Sequence, residues 1–75
     1  KIKNPNVKMV FDIANFYKNS KNYEKAIEYY TEIISSLDDN SEIKSDLLYR
    51  RGGSYERLGN FQKADGDLKY SLRIN

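Results

Sequence analysis

The chain has 75 residues, 39% of them hydrophobic, with thirteen Lys and Arg against eleven Asp and Glu for a formal charge of +2. At that length it forms at most one small domain with a thin core. It contains neither cysteine nor histidine, which excludes disulfides, thiolate metal sites and the usual imidazole bases and ligands. The charges are interspersed rather than blocked, unlike the concentrated basic footprint of a nucleic-acid binder, and no apolar run approaches the roughly 20 residues that a membrane span requires.

Asn4 followed by Pro5 reads as a helix start, asparagine as N-cap and proline at the first helical position, where its missing N–H costs nothing. Val7, Val10, Phe11, Ala14, Phe16 and Tyr17 then recur at helical steps until Lys18-Asn19-Ser20-Lys21-Asn22 breaks the pattern as a short turn. The second helix carries Tyr23, Ala26, Ile27, Tyr30, Ile33, Ile34 and Leu37 on one apolar face over about four turns. Asp38-Asp39-Asn40-Ser41 is a polar break in which Asn40 or Ser41 caps the third helix. That helix has the stripe Ile43, Leu47, Leu48 and Tyr55, and Gly59 suits the left-handed conformation that follows a helix end. The fourth helix, from Phe61, has Ala64, Leu68, Leu72 and Ile74. Gly66 inside it costs roughly 1 kcal/mol relative to alanine.

The chain also repeats itself. Tyr17 and Ala26 recur 38 residues later as Tyr55 and Ala64. Ala14-Asn15-Phe16-Tyr17 faces Gly52-Gly53-Ser54-Tyr55, and Asn22-Tyr23-Glu24-Lys25-Ala26 faces Asn60-Phe61-Gln62-Lys63-Ala64. A period of this size marks stacked supersecondary units, none of which buries its apolar face alone.

These residues resemble the tetratricopeptide repeat, a helix-turn-helix unit of about 34 residues with small side chains where its helices cross. Tyr23 to Ile34 is similar to the family's second helix, with Ala14 and Tyr17 as the packing pair of the first. Gly52, Tyr55, Gly59, Phe61, Ala64, Leu68 and Leu72 follow in the second copy. The resemblance implies an all-α chain of two such hairpins, four antiparallel helices, with repeats over residues 5–38 and 41–75 belonging to a longer solenoid. A start on Lys1 without Met and an end on Arg73-Ile74-Asn75 read as an excised segment. The observed spacing of 38 exceeds the family's by about one helical turn, expected between Ser36 and Asp46 as an extension of the second or third helix. Arg51, where the family has leucine, and Asp65-Gly66-Asp67, in place of an isoleucine-centred helix start, need an outlet in solvent or a further repeat. Ala14, Tyr17, Ala26, Tyr30, Gly52, Tyr55, Gly59 and Ala64 are the structural positions, and Phe16, Tyr17, Tyr23, Tyr30, Tyr55 and Phe61 are expected as core packing.

In this family the first helices of successive repeats line a concave groove for extended peptides or partner helices. Carried over, the inward positions are Lys8, Phe11, Asp12, Asn15, Lys18 and Asn19 on the first helix. On the third they are Asp46, Tyr49, Arg50, Gly53, Glu56 and Arg57. Phe11 and Tyr49 offer flat anchors, Asn15 both donors and an acceptor, and Arg50 a fork for a carboxylate. The alternative for each is an ordinary solvated helix face. The arrangement by which some members hold a C-terminal carboxylate is incomplete, since Phe11 stands for its lysine and Arg50 for its second asparagine. Catalysis and metal binding are not expected: no activated nucleophile is recognisable, and Asp65-Gly66-Asp67 lacks the spaced ligands and closing glutamate of a calcium loop. The expected partner is therefore another protein or peptide, with no cofactor, no nucleic acid and no membrane insertion. The competing reading is a structural segment that associates with itself through its exposed repeat ends.

Overall fold

The computed structural model describes residues 7–37 and 42–74, with side chains as far as Leu72. It contains four helices, α1 (Val7–Asn19), α2 (Tyr23–Ser35), α3 (Glu42–Arg57) and α4 (Phe61–Ile74), and no strand among the described residues. Each helix packs on its neighbour in sequence, α1 on α2, α2 on α3 and α3 on α4. The result is a slab of 32 × 27 × 14 Å rather than a ball, because a repeat touches little beyond its neighbours. The expected Asn4–Pro5 start and the Asn40 or Ser41 cap lie outside the described residues. The extra turn is not in α2, which ends at Ser35 with Ser36 as its C-cap. At 16 residues, α3 is the longest described helix.

Both hairpin turns are built the same way. At the end of α1, Asn22 N–H donates to Tyr17 C=O (2.8 Å) and Lys21 N–H to Lys18 C=O (3.0 Å). At the end of α3, Asn60 N–H donates to Tyr55 C=O (2.9 Å) and Gly59 N–H to Glu56 C=O (3.0 Å). These are paired six-to-one and five-to-two closures around one left-handed residue. Asn22 and Asn60 then accept from the N–H of Lys25 (3.3 Å) and Lys63 (3.4 Å), capping α2 and α4. The left-handed residue is Gly59 at φ 83° in the second hairpin but Lys21 at φ 67° in the first, where a β-carbon crowds the following carbonyl. Lys21→Gly is expected to raise stability by about 0.5 kcal/mol or more, part of the relief being offset by the freer unfolded chain. Thermal denaturation should show a midpoint a few degrees higher, as such a gain implies for a domain this small.

Apolar burial is concentrated in the first hairpin. Ala14, Ala26, Tyr30, Ile33 and Leu47 form one buried cluster, with Val7, Val10, Phe11, Tyr17, Tyr29, Ile34 and Leu37 packed against it. Tyr17 and Tyr29 stack with ring centroids 5.7 Å apart. The second hairpin buries Leu48, Ala64 and Gly52 together with Ser45, Ser54, Asp67 and Ser71. A β-carbon on Gly52 would lie 3.0 Å from Leu68 Cγ and 3.2 Å from Asp67 Cβ, so the closeness of α3 to α4 depends on glycine there. Gly66 meets no such neighbour. Gly66→Ala is therefore expected to add about 0.8–1 kcal/mol from helix propensity alone, measured as an upward shift of the urea midpoint at unchanged slope.

Two expectations for the aromatics are corrected. Phe16 and Phe61 are 63% and 65% exposed and do not fill the core. A helical period groups residues by face without saying which face another helix will cover. The position of the second copy that matches Phe16 is Ser54, which is 1% exposed, so the same face is buried in α3 and open in α1. Ile43 is likewise 49% exposed rather than part of a buried stripe.

Candidate interaction groove

The expected groove residues separate into three groups. Lys8 and Asp12 pair with each other at 3.3 Å on an open face of α1, an exposed contact one turn apart that contributes a few tenths of a kcal/mol. Phe11, Asn15, Asp46 and Arg50 form a cluster between α1 and α3. Arg50 Nε donates to Asp46 Oδ2 (3.2 Å), its Nη1 donates to Asn15 Oδ1 (3.5 Å), and its guanidinium carbon lies 5.2 Å from the Phe11 ring centroid. The same Asn15 oxygen accepts from the Tyr30 hydroxyl, and Tyr30 meets Phe11 edge-on at 6.5 Å. Asn15 thus ties the two helices of its own hairpin to Arg50 of the next hairpin. Burial pushes the Tyr30 phenol above its ordinary value, opposed by the charge and hydrogen bond of Arg50.

The third group opens to solvent. Lys18, Asn19, Tyr49, Arg50, Gly53, Glu56 and Arg57 line an open groove of about 630 Å³, joined by Lys21, Tyr23, Ser54 and Leu68. Tyr49 is 65% exposed at its edge. Lys21, Tyr23 and Leu68 were not among the expected groove positions. Lys21 was legible as the counterpart of Gly59 in the repeat register, since a lysine where the second copy has glycine calls for an explanation. Tyr23 and Leu68 carried no such signal, because both fit a helical core stripe.

The polar outliers of the second copy divide: Asp65 and Gly66 face solvent, where Asp65 pairs with Lys69 at 3.2 Å, whereas Arg51 and Asp67 meet each other. Arg51 holds Asp67 through two parallel bonds, Nε to Oδ2 at 2.7 Å and Nη2 to Oδ1 at 2.8 Å, and its Nη1 donates to Thr31 Oγ1 at 3.0 Å. The side chains are 18% and 11% exposed, and the bond to Asp67 raises the Arg51 pKa above its ordinary value. In the register of 38, Arg51 and Asp67 take the places of Ile13 and Tyr29. Ser45 and Ser71, which take the places of Val7 and Ile33, exchange hydrogen bonds with each other's carbonyls at 3.0 Å. These two pairs each join α3 to α4, and no buried side-chain donor or acceptor is left unpaired among the described residues.

Among the described residues no three carboxylates are placed to hold a metal ion, and no helix is long and apolar enough to cross a membrane. A family model described as tetratricopeptide repeat matches residues 7–36, the whole of the first hairpin. No curated protein and no solved structure matches the chain.

Proposed function

We propose that this chain, which belongs to the tetratricopeptide repeat family through residues 7–36, takes an extended peptide or a partner helix in the groove between the end of α1 and α3. Repeats of this family generally serve as protein-interaction modules and non-enzymatic scaffolds. The second hairpin is read as a second repeat, giving units over residues 5–38 and 41–75.

The observation that carries the reading is the open groove with Tyr49 exposed on its rim and Arg50 beside it. Tyrosine and arginine are the side chains most enriched among residues that dominate binding. Backbone in the groove is also approachable, because Gly53 presents no side chain where Asn15 stands in the first copy. The test is to select peptides from a random displayed library on the full chain and rescreen them on Tyr49→Ala. Circular dichroism should confirm equal helix content in both proteins. Loss of binding by about ten-fold or more is expected for most selected peptides. A set that binds both proteins equally overturns the groove.

Self-association is the second reading, favoured by Leu72, 78% exposed on α4, with Phe61 and Tyr70 also open on that helix. Sedimentation velocity decides it, and a monomer mass that does not change with concentration rules it out.

A further inference from the structure

Resting on the groove reading above, we infer that the ligand of this groove is an acidic peptide segment held through its side-chain carboxylates. Lys18, Lys21, Arg50 and Arg57 line it against the single carboxylate of Glu56, a net of +3 in a chain whose total is +2. With Asp46, which pairs with Arg50, counted in as well, the site still carries +2, the whole cation excess of the chain. Such a concentration steers an anionic partner and fixes its register more than it adds raw affinity.

Helix electrostatics accounts for part of the pattern. Lys18 and Arg57 sit in the last turns of α1 and α3, where the negative end of the helix dipole favours a cation. Lys21 is outside any helix and has no such reason. It occupies the left-handed position that the second hairpin gives to Gly59, so its backbone is strained by a β-carbon that glycine would not carry. What lysine adds there is charge on the wall of the groove. None of Lys18, Lys21 and Arg57 is ion-paired with a carboxylate among the described residues.

The same geometry argues against two other anions. Arg50, the cation best suited to a terminal carboxylate, is already held by Asp46 and lies over Phe11, which leaves the three cations at the turn end to meet side-chain carboxylates spread along a segment. A nucleic-acid strand would place phosphates along a groove that contains Glu56, and the nine cations outside it are interspersed with ten carboxylates rather than continuing a basic track.

The probe is a fluorescein-labelled, C-terminally amidated Glu-rich peptide of about ten residues, titrated into the full chain by fluorescence anisotropy beside its Glu→Gln analogue and an oligothymidylate of equal charge. The acidic peptide should bind about ten-fold or more tighter than the Gln analogue, and added salt should erode the difference. In a Lys18→Gln, Lys21→Gln, Arg57→Gln chain of unchanged helix content the preference should vanish. Equal binding of the Glu and Gln peptides, a preference that survives in the triple variant, or oligothymidylate bound as tightly as the peptide each overturns the inference. Its failure is separable from that of the groove: neutral peptides that depend on Tyr49 would sink the acidic ligand and keep the groove, whereas peptides indifferent to Tyr49 would sink both.

Discussion

Tyr30→Ala is expected to cost about 3–5 kcal/mol, the usual range for deleting a buried aromatic side chain, and to leave much of the population unfolded at 25 °C. The side chain is fully buried at the centre of the cluster formed by Ala14, Ala26, Ile33 and Leu47. Its removal opens a cavity that α2, packed against both α1 and α3, can close only partly. A domain of this length has on the order of 4–11 kcal/mol of stability in total, so the loss is a large fraction of what exists. Tyr30→Phe separates packing from polarity. It keeps the edge-on contact with Phe11 and removes only the hydroxyl that Asn15 accepts from, for an expected cost of about 1 kcal/mol. Urea unfolding of the three proteins checks the order.

The same pair of proteins carries a pH signature. Burial raises the Tyr30 pKa above the value of 10.0 that the unfolded chain has, so folding favours the protonated phenol. That share of stability is complete below pH 10.0 and is lost as pH rises from there through the folded value. The stability difference between wild type and Tyr30→Phe should therefore shrink or reverse on the alkaline side.

Asp67→Ala is expected to cost about 3 kcal/mol or more, because it strands Arg51 in a site shielded from water. The guanidinium would keep Thr31 as its remaining polar partner, with the Tyr55 ring 5.7 Å away. Replacing both members gives the opposite result. Arg51→Ile with Asp67→Tyr installs the residues that the first hairpin uses at the same positions, and a well-packed apolar pair in place of a buried ion pair is often neutral or stabilising by about 1–4 kcal/mol. A double-mutant cycle on thermal midpoints should thus show strong coupling, with the double variant far above either single one. Additive losses would mean that the bidentate bond contributes little.

The repeat is legible in the residues because a helical hairpin imposes spacing on its own chain. Small residues must stand where two helices cross, an asparagine must cap the second helix, and one residue must turn left-handed between them. Those demands recur at Ala14 and Gly52, Asn22 and Asn60, and Lys21 and Gly59. They are local, or they involve neighbours one hairpin apart, so the period of 38 carries them in the sequence. The helices and turns follow from those local patterns, and the fold class from the family resemblance that they carry.

What the sequence did not show is which polar residues answer each other. Arg51 and Asp67 look like departures when read singly, as do Ser45 and Ser71. Each pair is a helix hairpin apart, and its members become partners only when α4 folds back on α3. Phe16 and Phe61 fail for the complementary reason, since a stripe of aromatics does not say whether another helix lies across it. The groove has the same dependence. Its residue types were readable on α1 and α3, but the gathering of Lys18, Lys21 and Arg57 around Tyr49, and the commitment of Asn15 to Tyr30 and Arg50, were decided by the packing of successive hairpins. Along each helix and turn, spacing is set by the chain; between helices, partnership is set by contact.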